Sequence, residues 1–173
     1  MLQPSWPVLS PQARHGLAGE IVKVIERHSE ADPAAILIST LVEFGALVGP
    51  GPHAMADSAE HPARLFTVLV GETSKGRKGS ATKNVEPVIA AADPDFARNR
   101  RLNGFGSGEA LVDTLRGNGG PTDHRLLVVE PEFARILNVA GRDGSTLSTI
   151  IRQAWEWRAA GGPVQGRHDR RRQ

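Results

Sequence analysis

The sequence contains no cysteine, and no part of it approaches the roughly 18 consecutive apolar residues that a membrane-spanning helix requires. The first absence removes disulfides, zinc ribbons, iron–sulfur ligation and thiol nucleophiles together, and it fits a reducing interior. The N-terminus, MLQPSWPVLSPQ, also lacks the basic-then-apolar order of a signal peptide. These features predict a cytoplasmic protein with no membrane partner. An excess of one charge is missing too. Lys and Arg number 21 against 19 Asp and Glu, and Arg167, Arg170, Arg171 and Arg172 at the far end account for the surplus, so the body of the chain carries no basic balance of the nucleic-acid-binding kind.

What is present suits one folded domain: 39% of the 173 residues are hydrophobic and 23% charged. Pro4, Pro7 and Pro11 make residues 1–12 an extended arm, with Trp6 as its one anchor. Leu17, Ile21, Val24 and Ile25 recur at the spacing of one helical face, which predicts a surface helix over 13–28. Asp32-Pro33 supplies a cap and a first-turn proline for a second helix, 34–48, apolar on nearly every side and ended by Gly49. A long loop over 49–62 follows, with a turn near its middle.

Two apolar runs then read as strands buried on both faces. The first, Arg64-Leu-Phe-Thr-Val-Leu-Val70, leads into the Gly-rich segment 71–80 and a helix over 81–92. Ser107 is placed to cap a helix over 108–116, and GNGGPTD, 117–123, is a loop. The second run, 125–129, stops at Glu130-Pro131-Glu132 and precedes a short helix over 132–139. The last helix, 145–158, carries Leu147, Ile150, Ile151, Ala154 and Trp155 on one stripe, which makes Trp155 a core residue and leaves Trp157 outside. Beyond Gly161 there is no apolar pattern, so 161–173 is expected to be a disordered basic tail.

An apolar strand, a Gly-rich lysine-containing loop and a helix together make a phosphate cradle, because backbone N–H groups and the helix start face the anion and the lysine neutralises it. The candidate nucleotide-binding residues are Gly71, Glu72, Thr73, Ser74, Lys75, Gly76, Arg77, Lys78, Gly79 and Ser80. In the usual phosphate-loop pattern, glycine and glycine are separated by four residues and followed by lysine and a hydroxyl residue. Gly71 and Gly76 have that separation, but Arg77 occupies the lysine position. Either Arg77 is the phosphate cation, or a one-residue insertion brings Lys78 to the phosphates and Ser80 to Mg²⁺. A compact ammonium fits a tight loop better than a planar guanidinium does, which favours the second alignment. A nucleotide site also needs a carboxylate at the end of a neighbouring buried strand, and Glu130 stands there, with Glu132 close behind.

The runs RLFTVLVGETSKGRKGSA, GSGEALVDTLRG, RLLVVEPEFARIL and GSTLSTIIRQAWE resemble a bacterial family of P-loop proteins associated with primase–polymerase and helicase modules of phage and mobile elements. The resemblance covers roughly residues 32–157. It implies a P-loop NTPase-like, RecA-like α/β fold over 13–160, with the two helices of 13–48 preceding an incomplete three-layer core. It also implies ATP with Mg²⁺ as ligand, Ser80 and Glu130 as the metal-directed pair, and Glu130 and Glu132 as the acidic, catalytic motif. DNA and further copies of the chain are the implied partners. The chain departs from the family pattern at Ala81, where members carry another hydroxyl, and at Ala110, where they carry glycine. The change of character at Gly161 reads as a truncated or frameshifted frame, so that nucleotide binding is expected and hydrolysis is in doubt. The competing expectation is a non-catalytic DNA-associated or assembly module that keeps the fold without turnover.

Other residues carry weaker signals. Ser107 lacks the glycine spacing of a hydrolase elbow, which leaves helix capping as its reading. His53, Asp57, Glu60 and His61 lack the helical two-His spacing of zinc hydrolases. Arg98, Arg100 and Arg101, with Phe105 or Trp157 as stacking platforms, outline a nucleic-acid contact, against which solvated surface charge is the simpler expectation.

Overall fold

Asp32 and Pro33 act as their types predict. In the computed structural model, which describes residues 8–71, 78–104, 106–116 and 123–156, the Asp32 carboxylate accepts from the Ala34 N–H at 2.7 Å and helix α2 runs Pro33–Val48. Gly49, at φ +69°, ends it. Before it lie a single 3₁₀ turn at Pro11–Ala13, where an extended arm was expected, and helix α1, Gly16–Glu26. The buried stripe of α1 is rotated from the predicted one. Leu17 and Val24 stay exposed, while Gly19, Val22 and Ile25 face inward. Gly19 decides this: a Cβ there would come within 2.3 Å of the Arg14 carbonyl carbon, so only the residue without a side chain admits that approach.

The segment expected as a loop folds into a two-stranded antiparallel hairpin, β1 (His53–Ala56) with β2 (Ala59–Pro62). Its two turn residues, Asp57 and Ser58, both take positive φ, the conformation that matches a tight turn to the strands' twist. The following run, 64–70, makes no ladder. Leu65, Phe66, Val68 and Val70 are 43, 51, 54 and 85% exposed, which overturns the expectation of a strand buried on both faces. Its β-branched and aromatic residues suit a pleated surface, but among the described residues no neighbouring strand lies alongside to form one. The run is instead tethered at its start, where the Arg64 guanidinium donates to the Ala154 carbonyl at 2.8 Å and the Phe66 ring meets the Trp155 ring edge-on at 5.2 Å.

Helix α3 spans Lys78–Ala92, starting three residues ahead of its predicted start, and α4, Pro94–Asn99, is capped by the Asp93 carboxylate on the Phe96 N–H. Strand β3 (Arg101–Asn103), helix α5 (Gly108–Arg116), strand β4 (Leu127–Val129) and helices α6 (Phe133–Ala140) and α7 (Leu147–Glu156) complete the order. The Ser107 hydroxyl accepts from the Ala110 N–H at 3.2 Å, capping α5 as expected. β3 and β4 pair in parallel, with Arg101 opposite Leu127 and Asn103 opposite Val129.

The described residues therefore form a mixed α/β structure of seven α-helices and two small sheets. Its main core joins Val22 and Ile25 of α1, Ile36 and Leu37 of α2, Ala81, Val85 and Ile89 of α3, Phe96 of α4 and Leu127 of β4. A second, smaller cluster gathers Ile136, Val139 and Leu147. The first seven residues with Trp6, the segments 72–77 and 117–122, Phe105, Trp157 and the expected basic tail lie outside the described residues. Trp155 is 52% exposed and pairs with Phe66 rather than entering a core, a correction to the stripe reading.

Candidate functional site

The carboxyl ends of β3 and β4 form the most chemically furnished part of the described chain. The Gly104 N–H donates to the Val129 carbonyl at 2.8 Å and extends the ladder by one bond, so the chain leaves β4 directly into Glu130. The Glu130 side chain is only 9% exposed. One carboxylate oxygen accepts from the Glu132 N–H at 3.1 Å; the other accepts no hydrogen bond and lies 3.8 Å from the Arg135 guanidinium. Gly104, at φ +71°, is required beside them, because a Cβ there would stand 3.0 Å from Arg135 Nη1 and 3.2 Å from Glu130 Oε2. The two acids thus differ: Glu130 is enclosed at the strand end, while Glu132 is exposed in the following turn and lines an open cleft with Arg135, Asn138 and Arg142.

The opposite end of the strands is fixed by arginines. Arg125 makes forked contacts to Asp123 at 2.8 to 3.1 Å and reaches Asp93 at 3.0 Å and the Leu47 carbonyl at 2.7 Å, with its guanidinium 5.1 Å from the centre of the Phe96 ring. The hydrogen bond from Arg125 holds the Asp123 carboxyl below its usual range. The Phe96 N–H, followed by Arg125, does the same for Asp93. Because Asp93 directly follows α3, this contact puts the C-terminal end of that helix at the amino end of β4, opposite the end that carries Glu130.

Arg101, expected at a solvated surface or on nucleic acid, is buried. It bonds Glu43 of α2 at 3.0 Å and lies 3.5 Å from Glu86 of α3. Glu43 is 1% exposed, and burial pushes its carboxyl up to about 7 against the opposing pull of Arg101. Arg100 donates to the Arg125 carbonyl at 2.7 Å, and Arg98 pairs with Asp95 at the surface. None of the three outlines a shared surface, and Phe105 and Trp157, their expected stacking partners, lie outside the described residues.

Of the phosphate-loop candidates, Gly71 is described and Glu72, Thr73, Ser74, Lys75, Gly76 and Arg77 are not. Lys78 opens α3, Gly79 has open space around its Cα, and Ser80 is half-buried in the first turn. Ala81 is fully enclosed in the main core. Among the described residues no group of three or more His, Asp or Glu is placed to hold a metal; His53, Asp57, Glu60 and His61 are spread along the hairpin. Sequence reasoning missed Arg135, Asn138 and Arg142, which lie on the short helix after Glu132 and its C-terminal turn. It also missed Glu43, whose signal was a lone acid inside an otherwise apolar helix. No helix among the described residues is long and apolar enough to cross a membrane. No protein family, curated protein or solved structure matches the chain.

Proposed function

We propose that this chain binds a nucleoside triphosphate, ATP with its Mg²⁺, through a P-loop of RecA-like type formed by residues 71–80, as in the ATPases of mobile-element DNA replication. The observation that carries the reading is the course of α3. It opens at Lys78, at the end of the Gly-rich segment, and ends at the amino side of the strand whose carboxyl side carries Glu130. Lys78 and the loop amides would hold the β- and γ-phosphates, and Ser80 and Glu130 would face the Mg²⁺ that accompanies them. A Glu130 oxygen that is enclosed and accepts no hydrogen bond suits a carboxylate that meets a cation or a donor from a ligand. Glu132, exposed one turn on, is the second acid available to orient water.

The alternative reading, a DNA-associated or assembly module without turnover, is favoured by the run 64–70. Its failure to pair beside β4 leaves the phosphate loop without the strand that anchors it in a hydrolysing domain. Association of several copies or contact with DNA belongs to either reading. The test is Mg²⁺-dependent ATP binding by calorimetry, with Lys78→Ala in parallel and phosphate release followed in the same samples. Binding that is lost in the variant, while its thermal melt is unchanged, is expected. Equal affinity in the two chains defeats the proposal, and binding without phosphate release selects the non-catalytic form.

A further inference from the structure

We propose that Arg135 is a positioning residue for Glu130: reaching past Gly104, its guanidinium holds the enclosed carboxylate in place at the carboxyl end of β4. The inference rests on the reading above, in which Glu130 faces the Mg²⁺ of a nucleotide, and it names what keeps that acid in position. A carboxylate with only 9% of its side chain exposed is stripped of most of its water. Such a place is tolerable only with an opposite charge close by or donors on both oxygens.

Two handles meet that need, and both come from one turn of backbone. The Glu132 N–H donates to one Glu130 oxygen at 3.1 Å, and the Arg135 N–H closes onto the Glu132 carbonyl at 2.9 Å. That turn brings the Arg135 guanidinium to 3.8 Å from the second Glu130 oxygen, the one that accepts no hydrogen bond. Among the described residues it is the one cation paired with this acid. Gly104 makes the approach possible. A Cβ there would stand 3.0 Å from Arg135 Nη1 and 3.2 Å from Glu130 Oε2, against both charged groups at once. The Arg135 side chain is itself half exposed, and so open an ion pair adds little to stability. Its effect falls instead on the buried partner: with the charge gone, one oxygen has neither donor nor cation, and the carboxylate is free to swing toward water.

The experiment compares the whole chain with Arg135→Met, which keeps an apolar stem and removes the charge, and with Gly104→Ala, which keeps the charge and pushes it away. Amide hydrogen exchange followed by NMR, without nucleotide, reads the positioning directly. In both variants the Glu132 N–H should exchange roughly tenfold faster, because its acceptor is no longer held. In Arg135→Met the Leu127 N–H, bonded to the Arg100 carbonyl at 2.8 Å, should keep its rate, and the thermal melt should match that of the unaltered chain. Calorimetry with ATP reads the consequence. The Mg²⁺ concentration for half-saturation should rise about tenfold in Arg135→Met, while binding in EDTA is unchanged. In a Glu130→Gln background the same substitution should add nothing to the Mg²⁺ requirement. An unchanged Glu132 amide in folded Arg135→Met overturns the proposal. Acceleration shared by Leu127 does so too, since it makes Arg135 a structural residue only, and so does an equal Mg²⁺ requirement in the two chains. A freed Glu132 amide in a protein whose unaltered form binds no ATP upholds the positioning and defeats the nucleotide reading alone.

Discussion

Two runs of this chain, RLFTVLV at 64–70 and RLLVV at 125–129, have nearly the same character: an arginine, then aliphatic and β-branched residues without a charge. One becomes a parallel strand with Leu127 4% exposed; the other lies open, with Val70 85% exposed and no ladder. The difference lies in what stands next to each run. Residues 127–129 find β3 on one side and the apolar faces of α2, α3 and α4 beneath Leu127, whereas 64–70 joins no strand among the described residues and meets α7 through Arg64 and Phe66. A strand is made by its neighbours as much as by its own residues.

Substitution should separate the two runs widely. Leu127→Ala is expected to cost about 3 kcal/mol of stability in urea unfolding, because it opens a void where four helices meet one strand. A cost near zero would mean that β4 is no better packed than 64–70. An effect on the order of 2 kcal/mol should follow pH through Glu43, which ties α2 to the first residue of β3 and faces Arg101 and Glu86. This carboxyl keeps its proton up to about 7 when folded and has an ordinary value of 4.5 otherwise, so the folded chain binds more protons between those limits. Stability should therefore decline as pH rises from about 4.5 to 7 and level off above, and Glu43→Gln should flatten that decline. Asp93 and Asp123, held below their usual values, act with the opposite sign and only in more acid solution. A slope that survives unchanged in Glu43→Gln would assign it to other groups. The smallest effect belongs to the open run: Val68→Thr should change the unfolding free energy by no more than about 0.5 kcal/mol. A cost matching that of Leu127→Ala would show that 64–70 is packed after all and erase the contrast.

What was legible in the sequence was local. Asp32-Pro33 capping α2, Ser107 capping α5 and a strand stopping at Glu130 each rest on bonds between residues two to four apart or on a short apolar run, and each stands in the fold as read. The hairpin at 53–62 was not legible, because its strands lack β-branched residues and its turn lacks glycine; Asp57 and Ser58 take positive φ instead. The burial of Arg101 was hidden for another reason: its partner, Glu43, lies on α2, five elements before β3, and meets it only after α2, α3 and β3 have packed. The candidate site divides the same way. Glu130 was visible from its strand, while Arg135 gains meaning only from the carboxylate it meets beside Gly104.

The parallel register of β3 and β4 also has a kinetic consequence. Parallel neighbours cannot be joined by a tight turn, so everything from Gly104 to Leu126 must be looped out before the first of their bonds closes. Helices α1 and α2, adjacent in sequence and in space, carry no such cost and are free to associate early. The enclosure of Glu130, and with it the geometry at the strands' carboxyl ends, is then among the last features to be assembled as the chain folds, and among the first to be lost when β4 detaches.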